Sequence, residues 1–293
     1  MKRQVGVRVS EIPLAEIHMR MLLVAIGGVV IAMPLLAQSQ TPAGGPGAFG
    51  PVDALGQAVR RPPAPTGPTP RLPDGTIDLG DGIWIGPTGL ISQGLPRGES
   101  LPLLPAAKAL MAERARRPAD DPHLWCLPMG VPRSTVYPFR FVQNYTHRKP
   151  THMFILHEGN IHSYRQIFMD GRTHPAELDP TWFGHSIGWY DKDTLVIDTV
   201  GFNDTFWFDR AGTPHTGQLH TIERWTRRNW GTLTNEVTID DPGAYSRPFT
   251  VTFNAHLGPP TDDLMEYICQ ENNQFGVAGG HANPFAGAAQ DKR

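Results

Sequence analysis

Glu223 is the acid whose setting most suggests chemistry. In the run from Trp225 to Leu233, a three-residue loop with Gly231 in a left-handed position pairs Arg228 with Thr232 and Arg224 with Glu236. Sliding that register by one residue would set Glu223 against Glu236, which like-charge repulsion disfavours. The favoured register puts Glu223 on the face of Trp225, Leu233, Val237 and Ile239. A carboxyl on an apolar face has the pKa, displaced toward neutrality, that general acid/base catalysis needs. Arg165 lies on a face with Ile161 and Ile167 and is its natural partner, because a buried guanidinium requires a carboxylate.

A second candidate is an imidazole–carboxylate pair. The segment His185–Tyr190 turns at Asp191-Lys192 into Asp193–Asp198, and a two-residue loop sets His185 opposite Asp198. Such a pair raises the basicity of the imidazole and fixes its tautomer. The same stretch, Gly184-His185-Ser186-Ile187-Gly188, matches the G-x-S-x-G nucleophile elbow, with Ser186 as the nucleophile of a serine hydrolase. That elbow needs a strand, a strained turn and a helix. Here Asp179-Pro180-Thr181-Trp182 precedes it and a turn with another strand follows, so the hydrolase is the weaker alternative. His157 and His162 are five apart around Gly159-Asn160 and do not form the i, i+4 pair of a zinc protease.

Ligand contacts are expected from two loops. Asp170-Gly171-Arg172-Thr173-His174-Pro175 opens as a turn and offers Arg172 and His174 to an anionic or hydroxylated ligand. The long connection from Gly201 to Gly217 carries Phe202, Phe206, Trp207 and Phe208 beside Asn203, Asp204, Asp209, Arg210 and His215. It either lines the mouth of a pocket or plugs an open end of the sheet. No cofactor is implied. A metal stays open, since His174, His215 and His220 are suitable ligand types, but no spacing is diagnostic and no metal ligand is assigned.

These residues must be positioned by a chain of 293 residues with 31 Gly, 29 Pro and only 18% charged residues. The Gly and Pro load excludes a long helical bundle. The balance of 26 basic against 28 acidic residues excludes a dedicated nucleic-acid binder. Lys2, Arg3, Arg8 and Arg20 precede an apolar run from Met21 to Ala37, so residues 1–37 read as a secretory signal peptide. The expected destination is the periplasm or the exterior, with no membrane attachment after cleavage. Residues 38–74 read as a Pro/Gly-rich disordered linker, 75–275 as a single β domain and 276–293 as a flexible tail. Two cysteines in an oxidising compartment, Cys126 and Cys269, are expected to pair.

One helix is expected over 105–114, opened by Pro105 and closed by Pro118. Strands are expected at 139–143, 151–157, 161–168, 185–190, 193–200, 218–228, 231–239, 248–257 and 264–270. In 248–257 the alternation is cleanest, with Phe249, Val251, Phe253, Ala255 and Leu257 inward. The fold class is mostly β: an antiparallel, hairpin-rich barrel or a twisted sandwich with one short helix.

Several phrases are familiar together: Asp121-Pro122 leading to Cys126, Pro128-Met129-Gly130-Val131-Pro132-Arg133, Arg165-Gln166-Ile167-Phe168, Asp170 to Pro175, Gly184 to Gly188, Asp193 to Asn203, and His215 to Arg224. Over roughly 120–275 the chain resembles a group of exported bacterial proteins that share this string and to which no activity is attached. It departs from them at Asp191-Lys192, where such relatives carry Glu-Gly. The resemblance therefore implies export, and no catalytic role is carried over from it. The hairpin-rich pattern is also similar to lipocalin-type barrels, as fold analogy.

The function expected from these residues is small-molecule binding in a pocket lined by aromatics and by polar groups from Arg165, His174, Asp198, His215 and Glu223. The alternative is a lyase, isomerase or hydrolase using Glu223 or the His185–Asp198 pair in the same pocket. A third class is an interaction module that uses the Pro-rich leader to reach a partner. For that pocket, convergence of Glu223, Arg165 and His215 on one open cavity would favour the first two, and side chains scattered over different faces would favour the third.

Overall fold

The computed structural model describes residues 63–269 except 81, 88, 147–148 and 160–162. The chain divides into two units, 1–59 and 60–293, and the described residues all belong to the second. The expected signal peptide, most of the expected linker and the tail at 276–293 lie outside the described residues. No helix among the described residues is long and apolar enough to cross a membrane.

Nine strands close into a barrel in chain order: β1 (Trp84–Ile85), β2 (Phe139–Thr146), β3 (Lys149–His157), β4 (Tyr164–Phe168), β5 (His185–Asp191), β6 (Thr194–Val200), β7 (His220–Asn229), β8 (Thr232–Asp240) and β9 (Phe249–Leu257). Period-2 alternation drives the closure, since each long strand has one apolar face to hide. β9 follows the expected pattern, with Thr250, Thr252, Asn254 and His256 exposed and Phe249, Val251 and Ala255 buried. In the β7–β8 hairpin Arg224 faces Glu236 and Glu223 faces Val237, as cross-strand charge required. The turn itself differs: Arg227 pairs Leu233 and Asn229 pairs Thr232 around a bulge, and Gly231 does not have positive φ. Glycine is needed there for a close approach, because a Cβ would stand 2.4 Å from the Pro65 carbonyl oxygen.

One helix, α1 (Pro105–Arg116), forms where Pro105 opens it. Three expectations change. All neighbouring strands are antiparallel except β4 and β5, which run parallel because residues 169–184 carry the chain back across the end of the barrel. No strand forms at 264–269; that segment is held by the Cys126–Cys269 disulfide and by Met265 N–H donating to Glu158 Oε2 at 3.0 Å. Part of the expected linker follows a bonded path: Trp230 N–H donates to Gly67 O at 3.0 Å, and Arg71 pairs with Asp193 at 2.6 Å.

The interior is filled from both ends. One apolar cluster holds Trp84, Phe139, Phe141, Ile155, Leu195 and Trp225, with Ile77 and Leu79 entering from the N-terminal arm. The other holds Phe202, Phe206, Phe208, Val237, Ile239 and Val251. Along β8 the order Leu233, Asn235, Val237 passes from one cluster through a polar residue to the other. β1 closes the ring with only Trp84 opposite Phe139 and Leu257, and Ile85 opposite His256. The edge of β9 from Phe249 to Ala255 therefore has no strand beside it; the turn Ile91–Gly94 covers it, so closely that a Cβ on Gly94 would stand 2.9 Å from Val251 Cβ.

Candidate functional site

The polar layer inside the barrel centres on Arg165 of β4 and Glu223 of β7, 3% and 1% exposed. Arg165 Nη1 is ion-paired with Glu223 Oε2, Nη2 donates to Thr199 Oγ1 at 2.6 Å and Nε to Ser186 Oγ at 3.0 Å. Glu223 Oε1 accepts from Trp225 Nε1 at 3.3 Å and Asn235 Nδ2 at 3.2 Å. The pairing expected from charge compensation is present, and every strong donor is matched, as burial demands. The same pairing leaves both carboxylate oxygens occupied. Ser186 is 1% exposed inside the wall and shares a 3.0 Å contact with Thr199, so Gly184–Gly188 runs into a strand and presents no exposed nucleophile.

His185 and Asp198 lie on the outer face of the wall. The β5–β6 loop has two residues, but the register sits two positions from the expected one: Ile187 faces Asp198 and His185 faces Val200. The reason is the turn, which places Lys192 in the left-handed region at φ 54° and makes Asp191 the partner of Thr194. A slip of two keeps both side chains on one face. Asp198 Oδ1 is bonded to His220 Nε2 at 2.7 Å and His174 Nε2 at 3.3 Å, and His174 Nδ1 reaches His185 Nδ1 at 2.8 Å. The result is a chain, His220–Asp198–His174–His185, in place of the expected dyad. Burial, then the neighbouring His174 and Arg172, lower the His185 pKa. Arg172 covers the Phe168 ring at 3.9 Å and is bonded to Asp170, so its charge is already matched. No group of three or more His, Cys, Asp or Glu among the described residues could hold a metal ion.

The Gly201–Gly217 loop is a plug. Phe202, Phe206, Trp207 and Phe208 are all buried at the second end of the barrel. His215 sits 3.9 Å from the Phe206 ring, and burial pushes its pKa down to about 4. Trp207 lies under the Arg114 guanidinium at 5.0 Å, and Asn203 Oδ1 accepts from Thr205 N–H at 3.1 Å. Asp209 fastens the plug, accepting from Ile91 N–H at 2.8 Å and Thr213 Oγ1 at 2.9 Å. Asp204 contributes a distant charge to Arg114. The expected pocket is therefore not formed: Arg165 and Glu223 are inside, His174 and Asp198 outside, and His215 in the plug.

An open cavity of about 330 Å³ lies elsewhere, between the strandless edge of β9 and the turn Ile91–Gly94 that covers it. Its apolar wall includes Leu90, Ile91, Val136, Phe208 and Phe253, and Thr252, Asn254, Gln93 and His256 supply polar groups. Arg133 also lines it, but Asp121 holds that guanidinium bidentately at 2.9 and 2.6 Å. No carboxylate lines the cavity. Sequence reading missed this site because four separate stretches build it, 87–93, 132–136, Phe208 and 252–256, and only the last has a period of its own. The one available signal was β9, whose outward Thr252, Asn254 and His256 read as simply solvated. Set beside protein-family profiles, curated proteins and solved structures, the chain matches none.

Proposed function

We propose that this is an exported small-molecule binding protein whose ligand occupies the lateral cavity and is an uncharged, largely apolar molecule. The observation that carries the proposal is the cavity itself. Its volume of about 330 Å³ falls within the range of small-ligand sites, and it has apolar walls with a few polar groups. A cationic ligand would find no carboxylate there, and the one guanidinium is already matched by Asp121. The binding proposal thus rests on residues other than those first expected to line the pocket. For an enzyme in this cavity, the ionisable groups on its wall are Arg133 and His256.

The test is to recover the protein from its native compartment, extract it with solvent and identify the co-purifying molecule by mass spectrometry. Thr252→Trp fills the cavity from an exposed strand position that favours aromatic residues, so folding stability should change by no more than about 0.5 kcal/mol. The extracted molecule should be absent from that variant. Equal amounts from both proteins would remove the cavity as the binding site.

A further inference from the structure

The cavity adjoins a second, much smaller space. Pro87, Thr135, Phe253 and Asn254 line both, and the inner slot is completed by Gly86, Phe139, Trp225, Asn235 and Ala255. The slot holds about 10 Å³, roughly the room of one water-sized group. It lies beside the seam where the short β1 ends between β2 and β9, against Asn235 of the polar layer.

Asn235 is what such a group would meet. Its side chain is 2% exposed, its Nδ2 donates to Glu223, and its Oδ1 has no hydrogen-bond partner. Chemistry fixes this orientation. Glu223, ion-paired with Arg165, is an acceptor, so the amide must turn its nitrogen to Glu223 and leave its oxygen free. The neighbouring Trp225 Nε1–H is spent on the same carboxylate oxygen. A buried acceptor without a donor is a standing demand for one.

We infer that the ligand of the lateral cavity carries a hydroxyl group that enters this slot and donates to Asn235 Oδ1. The inference rests on the cavity being the binding site. Size and charge select the group. An ether or ketone brings only lone pairs toward a lone pair. An ammonium would be buried with no free carboxylate, since Glu223 is already paired. A hydroxyl matches the volume of one water and supplies the missing donor.

The experiment compares 2-naphthol with 2-methoxynaphthalene, matched in ring and differing in the donor, by titration calorimetry on the full chain. The wild type should bind the naphthol at least about tenfold more tightly than the methyl ether. Asn235→Leu should bring the two affinities together, and Thr252→Trp should abolish binding of both. Ala255→Val, which fills the slot from β9 and leaves Asn235 in place, should erase the same preference if Asn235→Leu does not fold. Equal affinities in the wild type, or a preference that survives in both slot variants, overturn the hydroxyl inference and leave the cavity standing. No binding of either probe by the wild type, or undiminished binding by Thr252→Trp, overturns the cavity proposal itself.

Discussion

Acidification from pH 7 to pH 4 is expected to unfold this protein, and buried histidines are the main reason. His157 is fully buried at the end of β3 beside Arg165, and burial and that charge push its pKa down to about 3. His215 in the plug and His123 beside Arg133 are each pushed down to about 4, again chiefly by burial. In the unfolded chain all three return to about 6.5. Below that value the unfolded state binds more protons than the folded one, so stability falls with pH from about 6.5 until the folded values are reached. A depression of more than two pKa units is on the order of 3 kcal/mol for one group. Three together approach the whole stability of an ordinary domain, about 5–15 kcal/mol. Urea midpoints measured at pH 7, 5.5 and 4 should fall steadily. A flat profile between pH 7 and 5 would show that the histidines are not buried as described. His157→Leu should flatten part of the curve at little expense at pH 7, because neither ring nitrogen makes a well-formed hydrogen bond, with only a loose approach to the Ser134 backbone.

Arg165→Met is expected to destabilise the protein by about 3–5 kcal/mol, because it leaves Glu223 charged and unmatched in the centre of the barrel. The loss extends beyond the ion pair, since the same guanidinium also binds Ser186 and Thr199. Arg165→Met/Glu223→Gln should recover at least half of it. The glutamine oxygen can still accept from Trp225 and Asn235, Ser186 and Thr199 retain their contact with each other, and no charge remains buried. Denaturant unfolding of the two single variants and the double variant gives the coupling directly. An Arg165→Met loss under about 1 kcal/mol would mean that the carboxylate is matched in some other way.

What was legible in the sequence follows from where local physics was decisive. The alternation of β9 and the opposition of Arg224 and Glu236 define register unaided, and they place Glu223 inside. Arg165 could then be assigned to it because a buried charge tolerates few partners. The β5–β6 register was not legible, since nothing about a lysine announces a left-handed turn position. Its consequence was confined: Asp198 kept its face and exchanged His185 for His174 and His220. β1 was invisible because two residues carry no period. The lateral cavity was invisible for the same reason, being the space that so short a strand leaves open. The aromatic loop had two readings, and only the packing of Phe202, Phe206 and Phe208 against Val237, Ile239 and Val251 decides between them.

The disulfide and the short first strand together give the barrel an uneven covalent character. Cys126 and Cys269 are 143 residues apart and enclose β2 through β9 in one covalent loop, while β1 stands outside it. Eight staves are thus hooped, and the ninth is a wedge inserted from an arm. In thermodynamic terms β1 behaves as a tethered strand ligand of the other eight. Its occupancy is set by a local effective concentration, and the packed turn Ile91–Gly94 and α1 in its tether hold it near its place. Releasing it breaks a few backbone pairs and withdraws Trp84 from the core, but leaves the hoop intact. The slot at Asn235 lies beside Gly86, the residue that follows this wedge, so the hoop and the wedge meet at the polar layer.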